Sequence, residues 1–343
     1  MKIVILAAGF GSRLWPLSVP HKPKQFQPII AQQSPLGYTY QLFTQVAKAD
    51  EIYVLTLQGL EQQVKDQLPE ITAEHIICVP ERRNTFPHVL FVLNSIPIAD
   101  DEPLLFTTVD HLIVEPEEFV DSLKQVTEQY AHNLANVTLL GNRSEIFDPN
   151  AGYFAIDETQ RILSFKEKPE QKDIESLGTN GSSPVKDTAM FISSRNTFAA
   201  ALATFSGDES VKGRVLLTSS PEDRNANFLA MPFIDIATGF YEKATNLQAA
   251  FTAGDFIDLG SFDSLYKLSA KDERGNALTG NVIADETSHN NYAFNQTAAP
   301  LVVIGMSDSV IVQNDAGTVI APKSSINRIG EIYKSQIYTP PGS

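Results

Sequence analysis

The first 200 residues of the chain alternate short apolar runs with longer amphipathic segments. A short apolar run predicts a strand that is covered on both faces, because successive side chains of a strand point to opposite sides. The predicted strands are Ile3–Leu6, Glu51–Thr56, His75–Val79, Pro103–Thr107 and Asn136–Leu140. Between these runs, apolar positions recur at helical spacing. The predicted helices are Tyr38–Ala47, Leu60–Leu68, Thr85–Ile96 and Glu117–Ala131.

This alternation is typical of the α/β fold class, in which a mostly parallel sheet is flanked by helices. Such sheets bind ligands outside the carboxyl ends of their strands. The loops after the first, third and fourth predicted strands meet at that edge, and they carry Arg13, Arg83 and Asp110. We therefore expect a binding site there.

The pattern changes after about residue 275, where Gly, Asn and Asp separate short β runs. We predict two domains, an α/β domain over residues 1–270 and a small β domain over residues 275–338. No repeat is regular enough to predict a long β-helix. The predicted strands of the small domain are Val282–Ile283, Leu301–Ile304, Ser309–Val312 and Thr318–Ala321.

The charge balance of the 343 residues is acidic, with 26 Lys and Arg against 41 Asp and Glu, or −15 at pH 7. A chain of this charge is not expected to bind nucleic acid, which requires a basic face. A polyphosphate ligand would need local cations and a metal ion. The sequence predicts no membrane-spanning segment and no signal peptide. Its single cysteine allows no internal disulfide, which fits a reducing compartment, so we expect a cytoplasmic protein.

The loop after the first predicted strand carries small residues followed by two cations. Small residues let the backbone approach a ligand closely, and the cations can neutralise phosphate. The spacing is that of neither a P-loop nor the dinucleotide fingerprint, which needs a third glycine. The alternative interpretation is an ordinary strand–turn–helix. The residues of this phosphate cradle are Leu6, Ala7, Ala8, Gly9, Gly11, Ser12, Arg13 and Lys24.

The same stretch resembles the signature of the sugar-nucleotide pyrophosphorylases, a nucleotidyltransferase family. The similarity extends over Leu6–Ser18 and Pro23–Phe26, and Trp15–Ser18 and Lys24–Phe26 are most similar to the mannose-1-phosphate guanylyltransferase branch. The resemblance implies a Rossmann-like, mostly parallel mixed sheet of the glycosyltransferase-A type. It also implies transfer of GMP from GTP to mannose 1-phosphate, a hexose 1-phosphate, with release of pyrophosphate.

Further blocks along the chain resemble the same family and imply roles for their residues. Arg13 and Lys24 are the expected catalytic cations, and Asp110 and Asp258 the expected Mg²⁺ ligands, with Asp110 also near the nucleotide. Pro80–Thr85 resembles a block that implies nucleotide binding by Arg83, Asn84 and Thr85, although Asn84 or Thr85 could simply cap the next helix. The residues expected to bind the sugar phosphate are Gly152, Tyr153, Glu167, Lys168 and Asp187.

The departures from the family pattern fall on the sugar side. Phe154 and Ala155 replace Gly and Tyr, and Asp187 and Ala189 replace Asn and Gly. Because an ionised Asp187 cannot donate a hydrogen bond, the bound sugar could differ from mannose. Two alternatives therefore stay open: a nucleotidyltransferase for another sugar 1-phosphate, such as a heptose, or another nucleotide, and a catalytically silent regulatory or binding relative. The oligomeric state also stays open, with the small β domain as a candidate homodimer contact.

Overall fold

The computed structural model describes residues 1–30, 32–131, 134–143, 147–177 and 183–337. The chain forms two compact units, each built from separate stretches of sequence. The first unit comprises Met1–Ala8, Leu36–Val109 and Ile113–Phe256. The second comprises Gly9–Pro35, Asp110–Leu112 and the described chain from Ile257 onward. The predicted division into residues 1–270 and 275–338, whose last residue lies outside the described part, stays a prediction.

The first unit is organised around a large mixed sheet. The strands of residues 1–258 are β1 (Lys2–Leu6), β2 (Ile52–Leu57), β3 (Ile76–Val79), β4 (Leu104–Thr108), β5 (His111–Ile113), β6 (Val137–Asn142), β7 (Tyr153–Ile156), β8 (Ile162–Lys166), β9 (Ser183–Ser193), β10 (Leu247–Phe251) and β11 (Phe256–Asp258). The strand order of the large sheet is β10-β6-β9-β4-β1-β2-β3, and β7 and β8 extend from it beside β9. The central strands β4, β1, β2 and β3 are parallel, as are β6 and β10, whereas β9 runs antiparallel to β4, β6 and β7.

Helices connect these strands, as the alternating pattern predicts. They are α1 (Pro35–Phe43), α2 (Glu61–Gln67), α3 (Thr85–Ser95), α4 (Pro116–Tyr130), α5 (Gln171–Leu177), α6 (Arg195–Leu202), α7 (Asp208–Leu217), α8 (Arg224–Leu229) and α9 (Phe262–Leu268). The predicted α/β fold class with a mostly parallel mixed sheet is confirmed.

The predicted and observed element bounds agree within about two residues, except at the first helix. That helix was expected over Tyr38–Ala47, but α1 begins at Pro35 and ends at Phe43. Proline favours the first helical position because its missing N–H has no partner there anyway. After Phe43 the hydrogen-bonding pattern changes, because the N–H groups of Gln45 and Val46 donate to carbonyls three residues back instead of four. The α-helix therefore ends.

The second unit contains the C-terminal β strands, which stack as irregular parallel coils. The strands are β12 (Ala277–Gly280), β13 (Val282–Ala284), β14 (Tyr292–Asn295), β15 (Leu301–Val303), β16 (Ser309–Asn314) and β17 (Gly317–Pro322), followed by the helix α10 (Ile329–Ile332). Strands β12, β14 and β16 are parallel neighbours, β13 pairs in parallel with β15, and β17 returns antiparallel to β16. Ala277 pairs with Tyr292 and Tyr292 with Val310, so successive coils take 15 and 18 residues. This unequal spacing explains why the sequence shows no regular repeat.

Four of these C-terminal strands were predicted, and β12 and β14 were not. Strand β12 contains Ala and Gly, which are depleted in strands, whereas β14 contains Tyr and Phe, which favour strands, but has only four residues. Tyr292 and Phe294 of β14 are nevertheless buried in the core of the second unit. Within the described residues, no helix has the length and apolar composition needed to cross a membrane.

Candidate active site

The first part of the predicted phosphate cradle belongs to the first unit. Leu6 ends β1, and Leu6, Ala7 and Ala8 are all buried. The N–H of Ala7 donates to the carbonyl of Leu55 at 2.8 Å, which continues the parallel pairing of β1 with β2 beyond the strand. The small side chains of Ala7 and Ala8 thus pack at the carboxyl edge of the sheet, where a parallel sheet places its ligands.

The second part of the cradle, from Gly9 to Lys24, belongs to the second unit. A side chain at Gly9 would meet nothing within 4 Å, so the backbone is open there. Gly11 has a φ of 69°, and a β-carbon on it would lie 2.9 Å from the Lys24 side chain. Glycine is therefore required at position 11 both for the left-handed backbone and for the close approach of Lys24. Ser12 and Arg13 follow in a single 3₁₀ turn, with Arg13 exposed.

Lys24 and Asp110, both in the second unit, form an ion pair. Nζ of Lys24 lies 2.6 Å from Oδ1 of Asp110. The backbone N–H of Lys24 also donates to Oγ of Ser18 at 3.0 Å, which fixes the start of its 3₁₀ turn. Burial by itself would raise the pKa of Asp110, but the Lys24 ammonium, with weaker contributions from His111 and Arg13, holds that pKa below its ordinary value. Asp110 is therefore ionised and ready to bind a cation at neutral pH.

One carboxylate oxygen of Asp258 accepts a hydrogen bond, and the other is available to bind a ligand. Its Oδ1 accepts the N–H of Gly260 at 2.9 Å, whereas Oδ2 is buried with no hydrogen-bond partner among the described residues. The N–H of Leu259 donates to the carbonyl of Asp110 at 2.7 Å, so the two predicted metal-binding segments run side by side. A β-carbon on Gly260 would lie 2.9 Å from Asp258 and 3.1 Å from a guanidinium nitrogen of Arg13.

These contacts bring together Arg13, Lys24, Asp110 and Asp258, which we call the charged cluster. In the described part of the chain, no three His, Cys, Asp or Glu side chains are grouped so as to hold a metal ion by themselves. Two carboxylates suit Mg²⁺, which takes one or two protein carboxylates and completes its shell with water and substrate phosphate oxygens. Oδ2 of Asp258, which has no hydrogen-bond partner among the described residues, is suited to be one of these carboxylate ligands.

A C-terminal helical segment packs on the Arg13 loop, and the sequence analysis missed it. A β-carbon on Gly330 of α10 would lie 3.1 Å from Cγ of Arg13. Tyr333, which follows α10, has its ring centroid 5.1 Å from that of Phe10 and 6.3 Å from that of Trp15. A single glycine in a short helix gives no sequence signal for this contact. Phe10, Trp15 and Tyr333 were the only residues whose type indicated an apolar contact here.

The predicted nucleotide-binding residues Arg83, Asn84 and Thr85 lie in the first unit, between β3 and α3. Asn84 caps α3, because its side chain accepts the N–H of Thr85 at 2.9 Å. The hydroxyl of Thr85 accepts the N–H of Ile236 at 2.8 Å. A guanidinium nitrogen of Arg83 lies 2.7 Å from Oε2 of Glu81. The capping role of Asn84 is thus observed, and of these three residues Arg83 carries the cation.

His88, in the first turns of α3, was not singled out by the sequence analysis. Burial lowers its pKa to about 3, so the ring is neutral. Its Nε2 accepts a long hydrogen bond of 3.5 Å from the N–H of Arg83, and its ring stacks on Phe228. His88 therefore supports the backbone at Arg83. A lone His inside a helix gives no sequence signal for that role.

The predicted sugar-phosphate residues form a second group, within the first unit. The carbonyl of Gly152 accepts the N–H of Asp187 at 2.9 Å. A β-carbon on Gly152 would lie 2.5 Å from the Phe165 ring and 3.1 Å from Oε2 of Glu167, so only glycine fits. Nζ of the exposed Lys168 lies 2.6 Å from Oε1 of Glu167. These four residues thus lie together: Gly152 immediately before β7, Glu167 and Lys168 directly after β8, and Asp187 on β9.

Tyr153 turns away from solvent. Its ring is buried in a small apolar cluster with Ala155 and Leu177, and its hydroxyl accepts the N–H of Asp148 at 2.8 Å. This arrangement fixes the loop that precedes Gly152. Tyr153 accordingly supports the backbone next to Gly152, and its hydroxyl is already used by the N–H of Asp148.

Asp187 has an unusual environment for a carboxyl group. Its Oδ1 is buried without a hydrogen-bond partner among the described residues. Burial first, and the neighbouring Glu167 second, raise the pKa of Asp187 to about 8, although the N–H groups of Ala189 and Thr188 act in the opposite direction. The sequence analysis treated Asp187 as ionised. The structure places this carboxyl in surroundings that favour its protonated form over the ionised form.

Comparisons with known proteins identify the family of the chain. The profile of the family described as "Nucleotidyl transferase" matches residues 2–275. The chain is 28% identical to a mannose-1-phosphate guanylyltransferase of Klebsiella pneumoniae, over 92% of this chain and 70% of that protein. It is also 28% identical to the mannose-1-phosphate guanylyltransferase RfbM of Salmonella typhimurium, over 96% of this chain and 71% of that protein.

Among solved structures, the chain is similar to a Thermus thermophilus protein named mannose-1-phosphate geranyltransferase. The TM-score is 0.79 and the sequence identity 21%, over 97% of this chain and 98% of that one. At this identity the similarity is one of fold, and it extends over the C-terminal β coils as well as the large sheet.

Proposed function

Because this chain belongs to the nucleotidyl transferase family, we propose that it transfers GMP from GTP to mannose 1-phosphate, forming GDP-mannose and pyrophosphate. The family is the one that the sequence motifs predict. The names of the relatives point to this acceptor and this nucleotide. Other sugar 1-phosphates and nucleotides are the alternatives that the experiment below separates.

The observation that carries the proposal is the charged cluster of the second unit. Arg13, Lys24, Asp110 and Asp258 come from three distant stretches of sequence, and the fold brings them together. In a chain with a net charge of −15, two cations beside two carboxylates are what a metal-bound polyphosphate requires. A structural salt bridge alone would not leave Oδ2 of Asp258 buried and without a partner among the described residues.

The chemistry is an in-line displacement at the α-phosphorus of the nucleotide. A phosphate oxygen of the sugar phosphate forms the new bond, the bond to the bridging oxygen of the β-phosphate breaks, and pyrophosphate leaves. The protein needs no covalent intermediate, because positioning and charge neutralisation lower the barrier. The proposed roles are triphosphate binding and leaving-group stabilisation for Arg13 and contact with phosphate near the reacting centre for Lys24.

The remaining predicted residues complete the two substrate sites. Asp110 and Asp258 would hold a divalent metal, proposed to be Mg²⁺, which would neutralise phosphate charge. The backbone from Leu6 to Gly9 and the loop at Gly11 and Ser12 would face the nucleotide, as would the Arg83–Thr85 segment. Lys168 would meet the phosphate of the sugar. The residues proposed to bind the sugar itself are Gly152, Glu167 and Asp187, with Tyr153 supporting them.

The test is pyrophosphate release measured over a matrix of GTP, ATP, UTP, CTP and dTTP against mannose, glucose and heptose 1-phosphates, with Mg²⁺. We expect the highest kcat/KM with GTP and mannose 1-phosphate. Arg13→Ala protein prepared in parallel controls for contaminating enzymes. A higher kcat/KM with another pair would reassign the substrates, and no release with any pair would identify a silent relative.

A further inference from the structure

The carboxyl groups of Asp187 and Glu167 both belong to the group of residues around Gly152. Oε2 of Glu167 would lie 3.1 Å from a β-carbon on Gly152, and the carbonyl of Gly152 accepts the N–H of Asp187 at 2.9 Å. Two carboxylates in one such group do not both ionise readily, because their charges repel in a partly buried site. Protonation of one of the two carboxyl groups relieves that repulsion.

The surrounding charges decide which member of the pair holds the proton. Glu167 has a cation at hand, since Nζ of Lys168 lies 2.6 Å from its Oε1, and its own N–H donates to Oε1 of Glu242. Lys168 therefore supplies a counter-charge to Glu167. Asp187 has no cation within 4 Å among the described residues, and its Oδ1 is buried and unpartnered. The proton accordingly belongs on Asp187.

The other titratable groups around Asp187 do not reverse this assignment. Tyr241 lies near both carboxyl groups, and burial together with Asp187 and Glu167 raises its pKa far above neutrality, so it stays uncharged. Lys186 precedes Asp187 on β9, and its side chain points to the opposite face of the strand. On the neighbouring strand β6, the residue paired with Asp187 is Gly141, which carries no charge.

We propose that Asp187 is a neutral carboxylic acid in the working enzyme and donates its O–H to a hydroxyl oxygen of the bound sugar. It thereby selects a sugar that has a hydroxyl oxygen at this position to accept the hydrogen bond. An ionised carboxyl could only accept hydrogen bonds there. This inference rests on the proposed function for the identity of the sugar. A neutral donor also avoids repelling the phosphate of the sugar, which an ionised carboxyl would do. The pair is then sensitive to pH, because ionisation of Asp187 removes the donor and adds a charge.

The activity test is kcat/KM for mannose 1-phosphate between pH 6 and 9 at saturating GTP. We expect the wild-type value to fall above about pH 8, by about tenfold per pH unit. Asp187→Asn keeps a neutral donor at every pH, so we expect its profile to lack the alkaline fall. Asp187→Ala has no donor and should lose at least tenfold at every pH, whereas Glu167→Gln should move the fall to lower pH.

An independent test follows the carboxyl groups directly. Carbon-13 NMR of the protein labelled at aspartate carboxyls, with Asp187→Asn for assignment, should show one carboxyl that titrates near pH 8. Titration of Asp187 near pH 4, or an alkaline fall in Asp187→Asn equal to that of wild type, would overturn the inference. If no substrate pair is turned over, the proposed function fails, and the NMR titration still decides where the proton lies.

Discussion

The ammonium of Lys24 lies 2.6 Å from the carboxylate of Asp110, and the two side chains differ in burial. The Lys24 side chain is 8% exposed, whereas that of Asp110 is 43% exposed. A buried ammonium loses hydration and needs a partner, so Asp110 neutralises Lys24 before any substrate binds. A metal-bound triphosphate offers new partners to both groups: phosphate oxygens to Lys24 and a cation to Asp110. The same pair can therefore stabilise the free protein and bind the substrates.

We predict that Asp110→Asn lowers turnover steeply and stability slightly. The variant loses a proposed metal ligand and leaves Lys24 without its counter-charge. Because the Asp110 side chain is 43% exposed, solvent screens the ion pair, and we expect the free energy of unfolding at pH 7 to fall by about 1 kcal/mol. Steady-state kinetics and urea unfolding measure the two effects. Full Mg²⁺-dependent activity in this variant would contradict the metal assignment.

The stability difference between wild type and Asp110→Asn should depend on pH with a definite sign. The pKa of Asp110 is lower in the folded protein than its unfolded value of about 3.9. Its ionised form therefore contributes stability above about pH 5, and this contribution is lost as the pH falls through the folded pKa. Urea titrations of both proteins should show a smaller difference at pH 3 than at pH 7. A difference of equal size at both values would mean that the effect is not electrostatic.

We predict that Arg13→Ala weakens nucleotide binding by about 1.5–3 kcal/mol, the range for a hydrogen bond to a charged group. Lys24→Ala should cost a similar amount and also leave the Asp110 carboxylate unpaired. Titration with GTP in the presence of Mg²⁺ measures both. Arg274→Ala removes an exposed arginine of the same unit and serves as the control for net charge. Unchanged affinity in Arg13→Ala would refute its proposed role.

We predict that Asp258→Asn raises the Mg²⁺ concentration needed for half-maximal rate by at least about tenfold, which corresponds to about 1.4 kcal/mol. The reason is the buried Oδ2, which has no hydrogen-bond partner among the described residues and is available to a cation. Asp263→Asn is the matched control, because Asp263 is an acidic residue of the same unit that pairs with Lys267. Equal Mg²⁺ requirements in the two variants would remove Asp258 from the metal site.

We predict that Gly330→Val raises the KM for GTP by about tenfold, because its side chain would displace Arg13 from the position in which α10 holds it. Gly330→Ala should give a smaller rise, although alanine in a helix adds up to about 1 kcal/mol of stability. Weaker binding in a protein of equal or higher melting temperature would therefore report positioning rather than unfolding. Glu331→Ala, on the exposed side of α10, is the control and should keep the wild-type KM.

The sequence by itself predicted the large sheet well, because its strands and helices carry strong periodic patterns. Val4 and Leu105 lie in short apolar runs, which predict strands buried between helices. Both residues are fully buried. Register and neighbours were not readable in the same way. The antiparallel strand β9 lies between β4 and β6, although more than 40 residues separate it from β6 in the chain. Pairing over such distances depends on tertiary packing, which local patterns do not encode.

For the candidate site, the sequence determined which residue types were present: two cations and two carboxylates in blocks that resemble one family. Only the tertiary structure decided which of these groups are paired and which atoms are open to a ligand. It paired Lys24 with Asp110, left one oxygen of Asp258 without a partner among the described residues, and placed Gly330 against Arg13. It also buried Asp187 near Glu167, and both burial and that neighbour raise the pKa of Asp187 and favour its protonated form. The physical reason is that charge, protonation and access depend on neighbours in space, and those neighbours come from distant parts of the chain.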